Sequence, residues 1–177
     1  RALGAYQRTL HTLQNAGAML SVGLEDIPEA LERVQDEAKE SRRELRHVRG
    51  TLLEYEAERL WHEASCAEGM HIIVSHWRDR DFDEVRTLAA RLREHPATVV
   101  LMAASRPATQ GKGGVRVICA RSDDLSEVDA TVVLRTALAP LEGRGGGRPN
   151  LAQGGADDHS PAEIHSALER AISEHVA

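Results

Sequence analysis

The stretch Gly143-Arg144-Gly145-Gly146-Gly147-Arg148-Pro149-Asn150-Leu151-Ala152-Gln153-Gly154-Gly155 gathers the residue types best suited to holding an anion. Glycine has no Cβ, so a run of it can take positive φ and bring backbone N–H groups close to a ligand. Successive amides in a tight turn form an anion-binding concavity, and arginine adds a planar fork of donors matched to phosphate oxygens. Arg144 and Arg148 would supply charge, Gln153 a neutral amide and Pro149 a stiff exit from the turn. This is the chemistry of a phosphate or nucleic-acid contact loop. A tight turn without a ligand is the competing reading of any bare glycine run.

Other groupings carry less. Gly111-Lys112-Gly113-Gly114 is a second glycine turn whose Lys112 can add a phosphate contact, although glycine is the default residue of such turns. His62 and Cys66 stand four apart on an expected helix, a spacing that can share one metal, but two ligands do not complete a site. His71 and His76 differ by an odd number on or near a strand, so they face opposite sides. The pairs Asp123-Asp124, Asp157-Asp158 and Glu25-Asp26 suit magnesium binding or acid–base work, and more commonly loop solvation and helix capping. Ser105, Ser122 and Ser160 lack a nucleophile context such as GxSxG. No catalytic residue and no metal site is expected in this chain.

The glycine-rich run resembles the signature of the DHH-associated domain, in the version that closes alanyl-tRNA synthetases and long freestanding alanyl-tRNA editing proteins. That pattern places a basic residue before a triple glycine, then Arg-Pro, two variable residues, and Ala-Gln followed by glycines. Arg144 takes the basic position, and Gly145, Gly146, Gly147, Arg148, Pro149, Ala152, Gln153, Gly154 and Gly155 match directly. The branch found in DHH phosphoesterases carries histidine after the triple glycine, where this chain has Arg148-Pro149. The resemblance covers residues 68–177. It implies a C-terminal domain that helps bring tRNA, foremost alanine tRNA, to an upstream site. The contact set so implied is Arg144, Gly145, Gly146, Gly147, Arg148, Pro149, Gln153, Gly154 and Gly155, with Lys112 beside it. The HxxxH and CxxxH pairs that hold zinc in the related editing domains are absent. Zinc, and ATP in a synthetase, would therefore belong to upstream domains, with no cofactor in this chain. Arg1-Ala2-Leu3 followed by a helix containing Tyr6 resembles the junction after a freestanding editing domain, which tips the expected parent toward an editing protein.

The elements that must position these residues follow from length and periodicity. At 177 residues the chain suits one domain plus an extension, or two small domains. Its five aromatics are Trp61, Trp77, Tyr6, Tyr55 and Phe82, so the core must be built from Leu, Val, Ile and Ala. The net charge of −6, about −3 on each side of Cys66, gives no global attraction to nucleic acid, so a phosphate site must be local. Cys66 and Cys119 are isolated, which fits a reducing cytoplasm. No run approaches the roughly 18 apolar residues of a membrane span. The chain begins at Arg1 rather than Met, as a fragment with its upstream part removed would.

A helix is expected over 1–20, from Leu3, Tyr6, Leu10, Leu13 and Leu20, and a long helix over 27–67. In the latter, Ile27, Leu31, Val34, Ala38, Ser41, Leu45, Val48, Leu52 and Tyr55 step by four and three, a heptad seam interrupted only by the weak helix former Gly50. A long helical hairpin or coiled-coil arm over 1–67 follows. The shorter helix could cover about half of the seam, leaving either a dimerising arm or a spacer packed on its own chain. Residues 68–177 alternate short apolar runs with amphipathic segments, an α/β (α+β) domain with a small sheet packed by helices. Strands are expected at Met70–Val74, Thr98–Ala103, Val115–Ala120 and Leu151–Gln153, with a turn over Gln110–Gly114. Helices are expected at Phe82–His95, capped by Asp81 or Asp83, at Val128–Leu141 with Val132, Val133, Ala137 and Leu141 inward, and at Pro161–Val176, capped by Ser160.

The expected function is tRNA recruitment without catalysis by this chain, in the cytoplasm, off the membrane, with self-association through the arm. Two rivals are the substrate-binding half of a DHH phosphoesterase, which Arg148 opposes, and a pure oligomerisation module, which the acidic net charge permits.

Overall fold

A computed structural model of the chain describes residues 2–106 and 113–176, with the side chains of residues 2–6, 8 and 9 outside that description. Two compact units are present, Arg1–Gly50 and Thr51–Ala177. Of the expected turn over Gln110–Gly114, residues Gln110, Gly111 and Lys112 fall outside the described residues.

The first unit holds helix α1 (Ala2–Leu20) and most of helix α2 (Ile27–His62). Gly17 is buried at the end of α1, where an added Cβ would meet the Val22 carbonyl at 2.9 Å, so the chain can fold back tightly there. The expected cover over the first half of the seam is not found: Leu31 and Val34 stay 47% and 44% exposed. Farther along, Leu45 and Val48 are exposed as well.

Helix α2 ends at His62, short of the expected Ala67, because its next residues form a strand instead. Strand β1 (Ser65–Ala67) pairs antiparallel with β2 (Met70–Arg78). The connecting Glu68 and Gly69 both take positive φ, 51° and 82°, which matches the twist of a two-residue hairpin. This moves Cys66 off the helix, so the helical His62/Cys66 spacing is not realised. Cys66 Sγ instead lies 3.7 Å from His71 Nδ1.

The second unit is built on a six-stranded mixed sheet in the order β1-β2-β3-β4-β6-β5. The remaining strands are β3 (Thr98–Arg106), β4 (Gly114–Arg121), β5 (Arg144–Arg148) and β6 (Leu151–Ala156). Only β2 and β3 run parallel, joined by helix α3 (Phe82–Leu92); the other pairs are antiparallel. Strand β3 is buried from Thr98 to Ser105, as expected of a centre strand covered on both faces.

Alternation along the strands separates two cores. Val99, Leu101, Val117 and Cys119 face helices α4 (Ala130–Leu138) and α5 (Pro161–His175). Val100, Met102, Ile118 and Ala120 face α3 and the last turns of α2. Helix α3 supplies Val85, Leu88, Ala89 and Leu92, all fully buried, and its N-cap is Asp81. Helix α5 opens on a full capping box: Ser160 accepts from the Glu163 N–H, and Glu163 accepts from the Ser160 N–H. On α4 the inward face is Val133, Leu134, Ala137 and Leu138, whereas Val132, expected inward, is 44% exposed. Three- and four-residue steps from Ala130 skip Val132.

The end of α2 is tied to α3 by charge. Arg80 donates to both carboxylate oxygens of Glu56, at 2.7 and 2.6 Å, and approaches Glu84 at 3.4 Å. The Arg80 hydrogen bond holds Glu56 below its ordinary carboxylate value, and Glu56 raises Arg80 in turn. This contribution is complete above the ordinary glutamate range and is lost as pH falls through the lowered Glu56 value. Glu56→Gln should cost about 1–2 kcal/mol at neutral pH. Urea midpoints of wild type and variant should converge as the pH is lowered below the ordinary glutamate range; a constant gap would show that the pair adds nothing.

Candidate nucleic-acid interface

The glycine-rich segment is not a loop. It forms the hairpin β5–β6, turned at Pro149-Asn150, with Gly145 opposite Gly154 and Gly147 opposite Ala152. Positive φ plays no part, since among the described glycines only Gly69 has it. The glycines serve close packing instead. A Cβ on Gly145 would sit 2.8 Å from Leu134 Cδ2, and one on Gly154 would sit 2.5 Å from Leu138 Cδ1. Helix α4 therefore lies against bare backbone on that side. A Cβ on Gly147 would come within 2.4 Å of the Leu151 carbonyl oxygen.

The tip is fixed to the start of α4. Asp129 caps that helix, accepting from the Thr131 N–H at 2.8 Å. The Ala130 N–H donates to the Pro149 carbonyl at 2.9 Å, and Thr131 Oγ1 donates to the Arg148 carbonyl at 3.2 Å. The Asn150 carbonyl accepts from the Arg121 N–H at 3.2 Å. Pro149 thus anchors the turn through its carbonyl.

Strand alternation sorts the expected contact residues into two sets. Gly145, Gly147 and Gly154 face α4. Arg144, Gly146, Arg148, Gln153 and Gly155 face the opposite side, where α3 covers β4 but stops short of the hairpin. A cleft of about 1040 Å³ lies there, with Arg86 and Arg93 from α3 and Arg148 and Gln153 from the hairpin among its lining. Four arginines line it against two acids, Asp83 and Glu94. A second cleft on the same side, of about 620 Å³, has Arg80, Arg106, Arg116 and Arg144 in its lining against Asp81, Glu142 and Asp157, with Phe82 beside them.

Arg144 and Arg148 are exposed and make no ion pair among the described residues. Arg116 lies over the Phe82 ring, 4.1 Å from its centroid. Arg86 pairs with Asp83 at 3.1 Å, an exposed contact worth at most about 1 kcal/mol and easily exchanged for a stronger anion. Such a face offers fixed forks and an amide around flat, side-chain-poor backbone, suited to phosphates and to a surface approaching closely. Arg86, Arg93 and Arg116 carry no sequence signal of their own; only the crossing of α3 over the sheet brings them here.

The remaining candidates have local roles. Asp123 pairs with Arg93 at 3.3 Å, and Asp124 accepts from the Ala97 N–H at 2.8 Å. Hydrogen bonds from Ser122 and Ala97 hold the Asp124 carboxyl below its usual range. His71 stacks on Trp61 at 4.6 Å, whereas His76 reaches across to Ser105 Oγ at 2.8 Å on the α5 side, so the two do face opposite ways. Burial holds His76 below its ordinary value. The Cys119 thiol is pushed up to about 12 by burial, which leaves it inert. No group of three metal-ligating side chains occurs among the described residues. No described helix is long and apolar enough to cross a membrane.

Comparison with known proteins shows what the chain resembles. The DHHA1 domain family matches residues 69–175. An alanine–tRNA ligase of Geobacillus kaustophilus is 30% identical over 161 residues, covering 90% of this chain and 18% of that protein. One from Archaeoglobus fulgidus is 29% identical over 175 residues, 98% of this chain and 18% of the ligase. The chain thus spans under a fifth of the length of these relatives. Among solved structures, the C-Ala domain from Aquifex aeolicus alanyl-tRNA synthetase superposes with a TM-score of 0.55 at 26% identity, covering 64% of this chain and 98% of that one.

Proposed function

The chain belongs to the DHHA1 domain family, and from that premise we propose that its second unit is a tRNA-binding module of an alanine–tRNA ligase or an alanyl-tRNA editing protein. The ligase relatives favour the first parent. The module is non-catalytic: it holds tRNA, foremost alanine tRNA, for aminoacylation or for hydrolysis of mischarged alanyl-tRNA at a site elsewhere in the parent protein, where zinc or ATP would act. One observation carries the reading. Strand alternation sets Arg144, Arg148 and Gln153 on the open side of the hairpin and gives the other side to packing against α4. Structured RNA hides its base edges in a deep groove, so recognition by backbone and shape suits a flat face flanked by arginines.

Fluorescence anisotropy of labelled alanine tRNA, titrated at several salt concentrations, tests this. Binding that falls with salt and is lost with a minihelix lacking the tRNA corner is the expected result. No binding at tens of micromolar would favour the pure oligomerisation module. The phosphoesterase alternative is disfavoured by Arg148 in the place of histidine.

Self-association through α2 is a second element of the proposal, supported by the exposure of Leu31, Val34, Leu45 and Val48 on one heptad seam. Light scattering of the chain at high micromolar concentration should give the mass of a dimer, and Leu45→Glu with Val48→Glu should return the monomer. A monomeric wild type would remove this element.

A further inference from the structure

The open face extends beyond the hairpin. Across the sheet, Arg116 of β4 stands beside Gly155 of β6, which stands beside Arg144 of β5, a row running straight toward α3. Next to it run Ile118, Gln153 and Gly146, then Ala120, Leu151 and Arg148. Helix α3 rises at the β4 end of these rows; Arg86 lines one cleft with Arg148, and Arg116 lines the other with Arg144. The result is a trough with arginines on two banks, Arg144 and Arg148 on one, Arg86 and Arg116 on the other. Its floor is low, because Gly146 and Gly155 have no side chain and Ile118 is buried to 3% exposure.

Gly146 is singular in the hairpin. An added Cβ at Gly145, Gly147 or Gly154 would collide with heavy atoms, but one at Gly146 would meet nothing within 4 Å. Its φ is not in the left-handed region either. Neither packing nor backbone conformation requires glycine there. What an alanine or larger residue would do is raise the floor of the trough.

We infer that RNA is held between two banks, with Arg86 and Arg116 as a second line of phosphate contacts facing the hairpin arginines, and with Gly146 left bare so that the RNA surface reaches the strand backbone. This rests on the tRNA-binding reading and adds to it the path of the ligand and the role of one glycine. Charge complementarity identifies the occupant: the chain as a whole carries −6, yet the two clefts of this face are lined by eight arginines against five acids. The Phe82 ring under Arg116 fixes the guanidinium, so less freedom is lost when it takes a phosphate.

The test is anisotropy of labelled alanine tRNA transcript on the full 177-residue chain, with thermal melting of each variant alongside. Arg86→Ala and Arg116→Ala should each weaken binding by about tenfold and lower the slope of log affinity against log salt by about one. Gly146→Val should weaken it at least as much without lowering the salt slope and without lowering the melting temperature. Gly146→Ala, a smaller intrusion, guards against any effect of valine on folding. If Arg148→Ala weakens binding while Arg86→Ala, Arg116→Ala and both Gly146 variants bind as wild type, the two-bank trough is wrong and the hairpin reading stands. If the wild type does not bind at tens of micromolar, both fall together.

Discussion

Gly154→Ala is expected to lower the stability of the second unit by about 2–4 kcal/mol, a large loss for one added methyl group. The new Cβ would lie 2.5 Å from the Arg144 carbonyl oxygen, 2.5 Å from Leu138 Cδ1 and 2.6 Å from the Gly145 Cα. A leucine methyl can rotate aside at modest cost, but the other two atoms belong to the backbone of the paired strand. Moving them means spreading the hairpin or lifting α4 from the sheet. Leu138 is itself buried, so any shift is passed to the core beneath α5. Urea denaturation should show a lower midpoint with an unchanged slope, and Leu138→Ala should not rescue it, because the backbone clash remains. A midpoint equal to wild type would mean that the strands slide apart at no cost and that the glycine is not required by packing.

The largest effect on binding is expected from Arg144→Ala combined with Arg148→Ala. Each guanidinium contributes about 1–3 kcal/mol as a charge-assisted hydrogen bond to phosphate. Four residues along a strand separate them by about 13 Å, far enough for their losses to add. The double variant should therefore bind tRNA on the order of 30- to 20,000-fold more weakly, with a salt slope lower by about two. Stability should hardly change, since both side chains are exposed and lack ion pairs among the described residues. Lysine at both positions should restore part of the affinity and most of the salt slope, because it keeps the charge but loses the planar fork. Affinity unchanged in the double alanine variant would sink the hairpin as the contact surface.

Where side chains signal their own burial, the sequence is informative. The α3 stripe of Val85, Leu88, Ala89 and Leu92, the apolar run Val99–Ala103 of β3 and the Ser160–Glu163 box of α5 each announce an element by spacing alone. Strand β5, the first half of the hairpin, does not. Arg144–Arg148 contains no apolar side chain to alternate, and glycine is depleted in strands, so period and propensity both point to a loop. What makes it a strand lies elsewhere in the chain: Leu134 and Leu138 need a surface low enough to pack against. The family resemblance singles out the glycine-rich run as one contact set, but only the register divides it. It assigns Gly145, Gly147 and Gly154 to packing and leaves Arg144, Gly146, Arg148 and Gln153 on the open side. The short β1 was missed for a related reason: its three residues continue the helical composition of α2, and only the positive φ at Glu68 and Gly69 turns them back.

Strand β5 is last in the sheet order, so its outer side has no neighbouring strand among the described residues. An open strand edge is a template on which another molecule's strand can add, and a run of three glycines offers no bulk to prevent it. Two copies of β5 meeting antiparallel about Gly146 would set Arg144 of one directly opposite Arg148 of the other, at both ends of the contact. Like charges face to face across strands oppose pairing. The two arginines thus guard the edge against its own kind, and an acidic ligand that neutralises them has first to cover the strand they protect.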